Sequence, residues 1–230
     1  ADLLRRYHSC LGIEVLNMFD RPNYQDRMLW DKLLRTLIPE GKRTVWGFAN
    51  SDAHEVSQID TAFMDFILPE YSESNLRAAM ENGTFFAIAR YAKNELGADF
   101  VGKGVVPAVT KIEVDHENGV ITVVGVNCNA IEWVADGNVI KADTIESDSE
   151  IVSVINLADY SDKISCYVRA QLKGNGGICM TQPFICDKGD FDAIRKEIPV
   201  KKPLTGVEKF KKDFFDTRIG VIVNKFRGKW

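Results

Sequence analysis

The run "TKIEVDHENGVITVVGV" (residues 110–126) holds two alternating apolar stretches around "HENG", and Asn118-Gly119 is the strongest short hairpin signal in the chain. "AIEWVADGNVIKA" repeats the arrangement, with Asp136-Gly137 or Gly137-Asn138 at the turn. "ISCYVRAQLKGNGGICMTQPFIC" does so again around Gly174 to Gly177. A tight turn leaves the chain only one return path, antiparallel and alongside. Three such units in succession therefore predict an antiparallel β-sandwich over residues 105–187.

The residues before this run read differently. "LGIEVLN" is a short apolar run bounded by Gly12 and Asn17, the pattern of a buried parallel strand. "YQDRMLWDKLLRTLI" follows with Met28, Leu29, Leu33, Leu34 and Leu37 near helical spacing, and Pro39 and Gly41 stop it. "RTVWGFA" and "TAFMDFIL" are strand candidates. "SESNLRAAMENG" has the form of a complete short helix, with Ser72 or Ser74 as cap and Gly83 after its end. "TFFAIAR" is a further strand. This alternation predicts an α/β region over residues 1–104, and the glycines and proline at residues 97–107 mark the boundary.

Composition narrows the function classes. The chain has 230 residues, 45% hydrophobic and 27% charged, which suits one large or two modest soluble domains. No apolar run reaches membrane-spanning length, so a membrane is not expected as a partner. The five cysteines form no CxxC pair and are odd in number, which points to packed thiols in a reducing, cytoplasmic setting. From Lys188 onward there are 12 Lys and Arg against 6 Asp and Glu, a basic tail (188–230) on an acidic body. Its charges are interleaved rather than clustered, so nucleic acid is not the expected partner. The first residue is Ala1, which suggests a processed product or a fragment.

One short motif carries chemistry. "GFANSDAHE" (Gly47 to Glu55) places Asp52 two residues before His54, where a strand runs out. On a strand, residues two apart share a face, and pockets of parallel α/β folds form at strand C-terminal ends. A carboxylate with an imidazole suits zinc, manganese or iron better than calcium. The same residues also fit a helix start, with Ser51 or Asp52 as N-cap and His54 in the first turn.

The ordered set "GIEVLN", "WDKLL", "SDAH" and "TQPF" resembles the closing part of the polymerase and histidinol phosphatase (PHP) family. The likeness spans most of residues 10 to 187 and includes "LPEYSESNLRAAMENGTFFAIA" and "YVRAQLKGNGGICMTQPF". It implies the C-terminal part of a distorted β/α barrel, then a β-sandwich and a short C-terminal tail. It further implies a metal-dependent phosphoesterase with Asp52 and His54 as metal ligands, a divalent Zn, Mn or Fe as cofactor, and a phosphoester substrate. Glu14 and Asn17 match the family's "iEvyN" strand and are expected at the pocket rim or in a structural role. Trp30 and Asp31 are expected in packing and capping, and Trp46 and Phe48 in the core.

The resemblance also exposes a deficit. Only His8, His54 and His116 are present, and there is no His-x-His. A dinuclear site needs about six protein ligands, and one catalytic zinc usually takes three. The expectation is therefore a fragment inactive alone, with its strands covered by a missing N-terminal barrel half or by a homo-oligomer. The alternative is a non-catalytic binding or assembly module with a degenerate barrel end. Exposed aromatics on one sandwich face, Trp133 first, would favour that alternative.

Overall fold

The computed structural model describes residues 1–18, 25–41 and 43–186, so the basic tail lies outside the described residues. Helix α1 (Asp2–Arg6) leads into strand β1 (Gly12–Asn17), helix α2 (Asp26–Leu37) and strand β2 (Trp46–Asn50). A 3-10 turn (Val56–Gln58) precedes β3 (Ala62–Phe66), α3 (Glu73–Asn82), β4 (Phe85–Ala89) and α4 (Lys93–Leu96). The rest is β5 (Ala108–Asp115), β6 (Val120–Ala135), β7 (Asn138–Asn156), a 3-10 turn (Leu157–Tyr160), β8 (Tyr167–Gly174), β9 (Gly177–Met180) and β10 (Phe184–Ile185).

Helix α3 is built from local signals. The Ser72 hydroxyl accepts the Asn75 N–H at 3.2 Å, and Gly83 closes the helix at φ 69°, where a side chain would be strained. Helix α2 is amphipathic, burying Trp30, Leu33, Leu34 and Leu37. Met28 and Leu29, expected on the same stripe, are exposed; Arg27 and Asp31 are buried there instead. Charged groups occupy a core face only when paired, and both are: Arg27 meets Glu95 at 2.7 Å, and Asp31 meets Arg169.

Strands β1 and β2 pair in parallel, with Gly12 opposite Trp46 and Asn17 opposite Asn50. All other strands join one antiparallel sheet in the order β3-β4-β9-β8-β6-β5, with β7 along β6 and β10 on β8. The hairpin β6–β7 turns through Asp136 (φ 53°) and Gly137 (φ 82°), a two-residue loop with both residues left-handed. The first half of β6 pairs with β5 and its second half with β8. Register shifts between Gly125 and Ala130 let the long hairpin bend from one group to the other. The sheet thus curls over its own core, formed around Trp133, Ile131, Ile155, Val168 and Leu172.

The fold is β-rich and mostly antiparallel, as the hairpin signals indicated. The parallel α/β part is smaller than the expected barrel portion. Among the described residues only β1 and β2 are parallel, and β3 and β4 run antiparallel, with Ala62 opposite Ala89. The β3–α3–β4 sequence reads like a crossover, but Phe66 pairs with Phe85 and the Ile67 N–H bonds the Thr84 carbonyl at 3.1 Å. The chain so comes back to the same end of the sheet. Strand β4 then hydrogen-bonds β9, so residues on both sides of the 97–107 stretch share one sheet.

A second core fills the space between α2, β1, β2 and the outer face of β4, β8 and β9. Val15, Leu16, Trp30, Leu34 and Val45 pack there on Ala87, Ala89, Tyr167, Ile178 and Met180. Trp133 is fully buried and donates to the Ser153 hydroxyl at 2.7 Å, so it offers no exposed platform. Cys128, Cys166, Cys179 and Cys186 are buried, and Cys10 is exposed.

Candidate metal-binding loop

The site residues gather where β1 and β2 end. Val15 and Leu16 are both buried although adjacent, so the alternation of β1 breaks and its register shifts between Glu14 and Leu16. The bulge lets Glu14 and Asn17 meet: the Asn17 side-chain amide donates to Glu14 Oε1 at 2.8 Å. The Asn50 amide, from the neighbouring end of β2, donates to Glu14 Oε2 at 2.7 Å. The Glu14 carboxylate therefore ties the two strand ends together on an exposed rim. Asn50 had no signal in the sequence beyond its place at a strand end.

Strand β2 stops at Asn50, so the same-face argument for Asp52 and His54 does not apply. A turn brings them together instead. Asp52 adopts φ 49°, a left-handed conformation that aspartate tolerates better than most residues. The His54 ring nitrogen Nδ1 lies 2.8 Å from the Asp52 backbone oxygen. A carbonyl can only accept, so Nδ1 carries the proton, and in the neutral ring Nε2 keeps its lone pair. Both side chains are exposed.

Neither Ser51 nor Asp52 caps a helix. The cap is Glu55, whose side chain and that of Gln58 form a reciprocal capping box on the 3-10 turn. Gln58 Oε1 accepts the backbone N–H of His54 at 2.6 Å and of Glu55 at 3.1 Å. Thr61 Oγ1 donates to the Gln58 carbonyl at 2.7 Å, and Arg90 holds Asp60 at 2.7 Å. The loop is thus exposed yet ordered by side-chain hydrogen bonds. His8 is exposed at the N-terminus, and His116 sits in the β5–β6 turn beside Asp115, away from strand ends β1 and β2 in the topology. Among the described residues no three His, Cys, Asp or Glu side chains converge as a metal cluster.

Two of the motifs that carried the resemblance, "WDKLL" and "TQPF", also come together around Gly47. Trp30 Nε1 donates to the Val45 carbonyl at 2.8 Å, and the Arg169 guanidinium lies over the Trp30 ring at 5.0 Å. Asp31 accepts from Arg169 Nε and Nη2 at 3.2 Å and from the Tyr167 hydroxyl at 2.7 Å. Burial, then the Asp31 charge and hydrogen bond, hold the Tyr167 hydroxyl well above its ordinary pKa. Asp31 is therefore a buried ion-pair partner and not a cap; it lies mid-helix, and Gln25 holds the N-cap position. Gln182 completes the group, accepting the Gly47 N–H and donating to the Gly47 carbonyl, both at 2.9 Å. Gly47 must be glycine, because a Cβ there would lie 2.8 Å from the Trp30 ring.

This arrangement defines a curled antiparallel sheet backed by a short parallel α/β layer whose strand ends carry polar side chains. No family model matches the chain, and comparison with curated proteins and with solved structures gives no significant match. Among the described residues no helix is long and apolar enough to cross a membrane.

Proposed function

We propose that this chain contributes one corner of the metal site of a PHP-type, metal-dependent phosphoesterase. The observation that carries the reading is the His54 ring. Its Nδ1–H is engaged by a backbone carbonyl, leaving Nε2 as the coordinating atom, which is the arrangement of most metal-bound histidines. The Asp52 carboxylate, two residues away and exposed, is a suitable second ligand. Zn, Mn or Fe fits this nitrogen and oxygen pair. Such a metal lowers the pKa of a bound water to about 7 and stabilises charge on phosphoryl oxygens.

In this reading Glu14, Asn17 and Asn50 shape the rim, and the chain's own task is to hold Asp52 and His54 in place. The remaining ligands come from a preceding barrel half of a longer parent protein or from another copy. Among the described residues β1 pairs with β2 alone, which supports a further strand on its outer edge. The free thiols support a reducing compartment. The alternative of a non-catalytic module keeps its assembly form, through that same edge. Trp133 is buried and does not supply the exposed aromatic face that would favour a binding module.

Zn(II) and Mn(II) titration of the 230-residue chain by calorimetry, with Asp52→Ala and His54→Ala alongside, tests the reading. One weak site lost in both variants is expected, with no phosphatase turnover by the chain alone. Binding unchanged by either substitution overturns the metal assignment. Steady turnover abolished by Asp52→Ala overturns the incomplete-site part.

A further inference from the structure

We propose that Gln182, in the short link between β9 and β10, is a positioning residue for the His54 loop; the inference rests on the metal reading above. Strand β2 is five residues long and pairs with one strand among the described residues. The Trp46 N–H faces β1, bonding the Leu11 carbonyl at 3.2 Å. Backbone groups of successive strand residues point to opposite sides, so the Gly47 N–H and C=O face outward from that pair. They are buried, and Gln182 satisfies both at 2.9 Å, one accepted and one donated. A carboxamide here takes the place of a neighbouring strand's peptide group.

Gln182 is itself anchored. Its neighbour Thr181 donates its N–H to the Ala170 carbonyl and accepts the Ala170 N–H on Oγ1, both at 2.9 Å. The side chain is 8% exposed, so water does not compete for these bonds. A continuous chain of contacts thus runs from β8 through Thr181 and Gln182 to Gly47, along β2 to Asn50 and Glu14, and into the turn that orients His54. A slip of one residue along β2 would invert which of its side chains face outward, and the paired bonds from Gln182 to Gly47 oppose it. The antiparallel sheet is therefore part of the site's architecture rather than a separable appendage.

The test reads the imidazole 15N signals of His54 in the metal-free chain, assigned by their loss in His54→Ala, together with Zn(II) affinity. Wild type is expected to show a protonated Nδ1 and a bare Nε2. In Gln182→Leu the ring should shift toward the Nε2–H tautomer, and Zn(II) affinity should fall about tenfold or more, as for other groups that orient a ligand. Gln182→Glu, which keeps the acceptor for the Gly47 N–H and loses the donor, should fall between and serves if the leucine variant does not fold. A folded Gln182→Leu or Gln182→Glu with the wild-type ring signature and affinity overturns the proposal. Wild type with the Nδ1–H signature but no His54-dependent Zn(II) binding overturns the metal reading alone, because the ring signature still decides the role of Gln182. Wild type without that signature overturns both.

Discussion

Asp31→Ala removes the acceptor at the centre of the buried clasp, and its cost follows from the geometry. Arg169 is 2% exposed and Asp31 4%, so the substitution strands a guanidinium out of reach of water. Breaking a buried ion pair from one side costs about 3–5 kcal/mol. The Tyr167 hydroxyl loses its 2.7 Å acceptor as well, a penalty of about 1–3 kcal/mol on its own. The two overlap, because both groups lose the same carboxylate and are not independent, so the expected total is about 4 kcal/mol. That is a large share of the ~5–15 kcal/mol by which domains are stable. The triple variant Asp31→Leu, Arg169→Met, Tyr167→Phe removes the three polar groups of the clasp together and leaves only Gln171 Oε1 without its Arg169 donor. It should lie within about 2 kcal/mol of wild type, since apolar replacement of a buried pair is often neutral. Urea unfolding at pH 7, followed by the fluorescence of buried Trp30 and Trp133, measures both. A single-variant loss below about 1 kcal/mol would refute the reasoning. So would a triple variant no more stable than Asp31→Ala.

Three further outcomes are expected. Burial tends to raise the Asp143 carboxyl, but hydrogen bonds from Lys141 and Ser153 outweigh it and hold the pKa below the usual carboxylate range. With the folded value below the unfolded one, this group stabilises the fold above pH ~3.9 and the benefit disappears as pH falls through the folded pKa. Asp143→Asn should accordingly flatten the acid limb of a urea-midpoint profile; an unchanged limb would count against the assignment. Ellman's reagent should modify one thiol rapidly in the native chain, Cys10, since the other four are buried and burial pushes Cys128 up to about 11. Cys10→Ser should abolish that fast phase, and a second fast thiol would contradict the packing. Ser72→Ala should cost about 1 kcal/mol through loss of the cap on α3, read from the thermal or urea midpoint, and a neutral result would show the cap to be dispensable.

The candidate loop was only partly legible. Asp52 and His54 stand out by residue type, but their relation was assigned to strand periodicity, and the structure relates them through a turn. The reason is that β2 ends at Asn50, two residues too early for alternation to apply. Met28 and Leu29 fit the helical spacing of the apolar residues yet lie exposed. Arg27 and Asp31 took those places because partners with opposite charge, Glu95 and Arg169, were available to them. Charged residues spaced four apart beside Trp30 and Leu34 were the available signal that this stripe carried buried ion pairs.

What the sequence alone determined is what neighbouring residues decide among themselves. Helix α3 with a serine cap at Ser72 or Ser74 and Gly83 after its end, and a tight turn at Asp136-Gly137 or Gly137-Asn138, were readable because each depends on conformational preferences within a few positions; the structure uses Ser72 and Asp136-Gly137. Only the tertiary structure decided that β4 joins β9, that Trp133 turns inward, and that Asp31 meets Arg169 across 138 positions and Gly47 meets Gln182 across 135. An alternating pattern states that a strand has a buried face, and a buried charge states that it has a partner. Neither names the strand or the partner, because that choice rests on how the whole chain shares out its apolar surface and satisfies its buried polar groups.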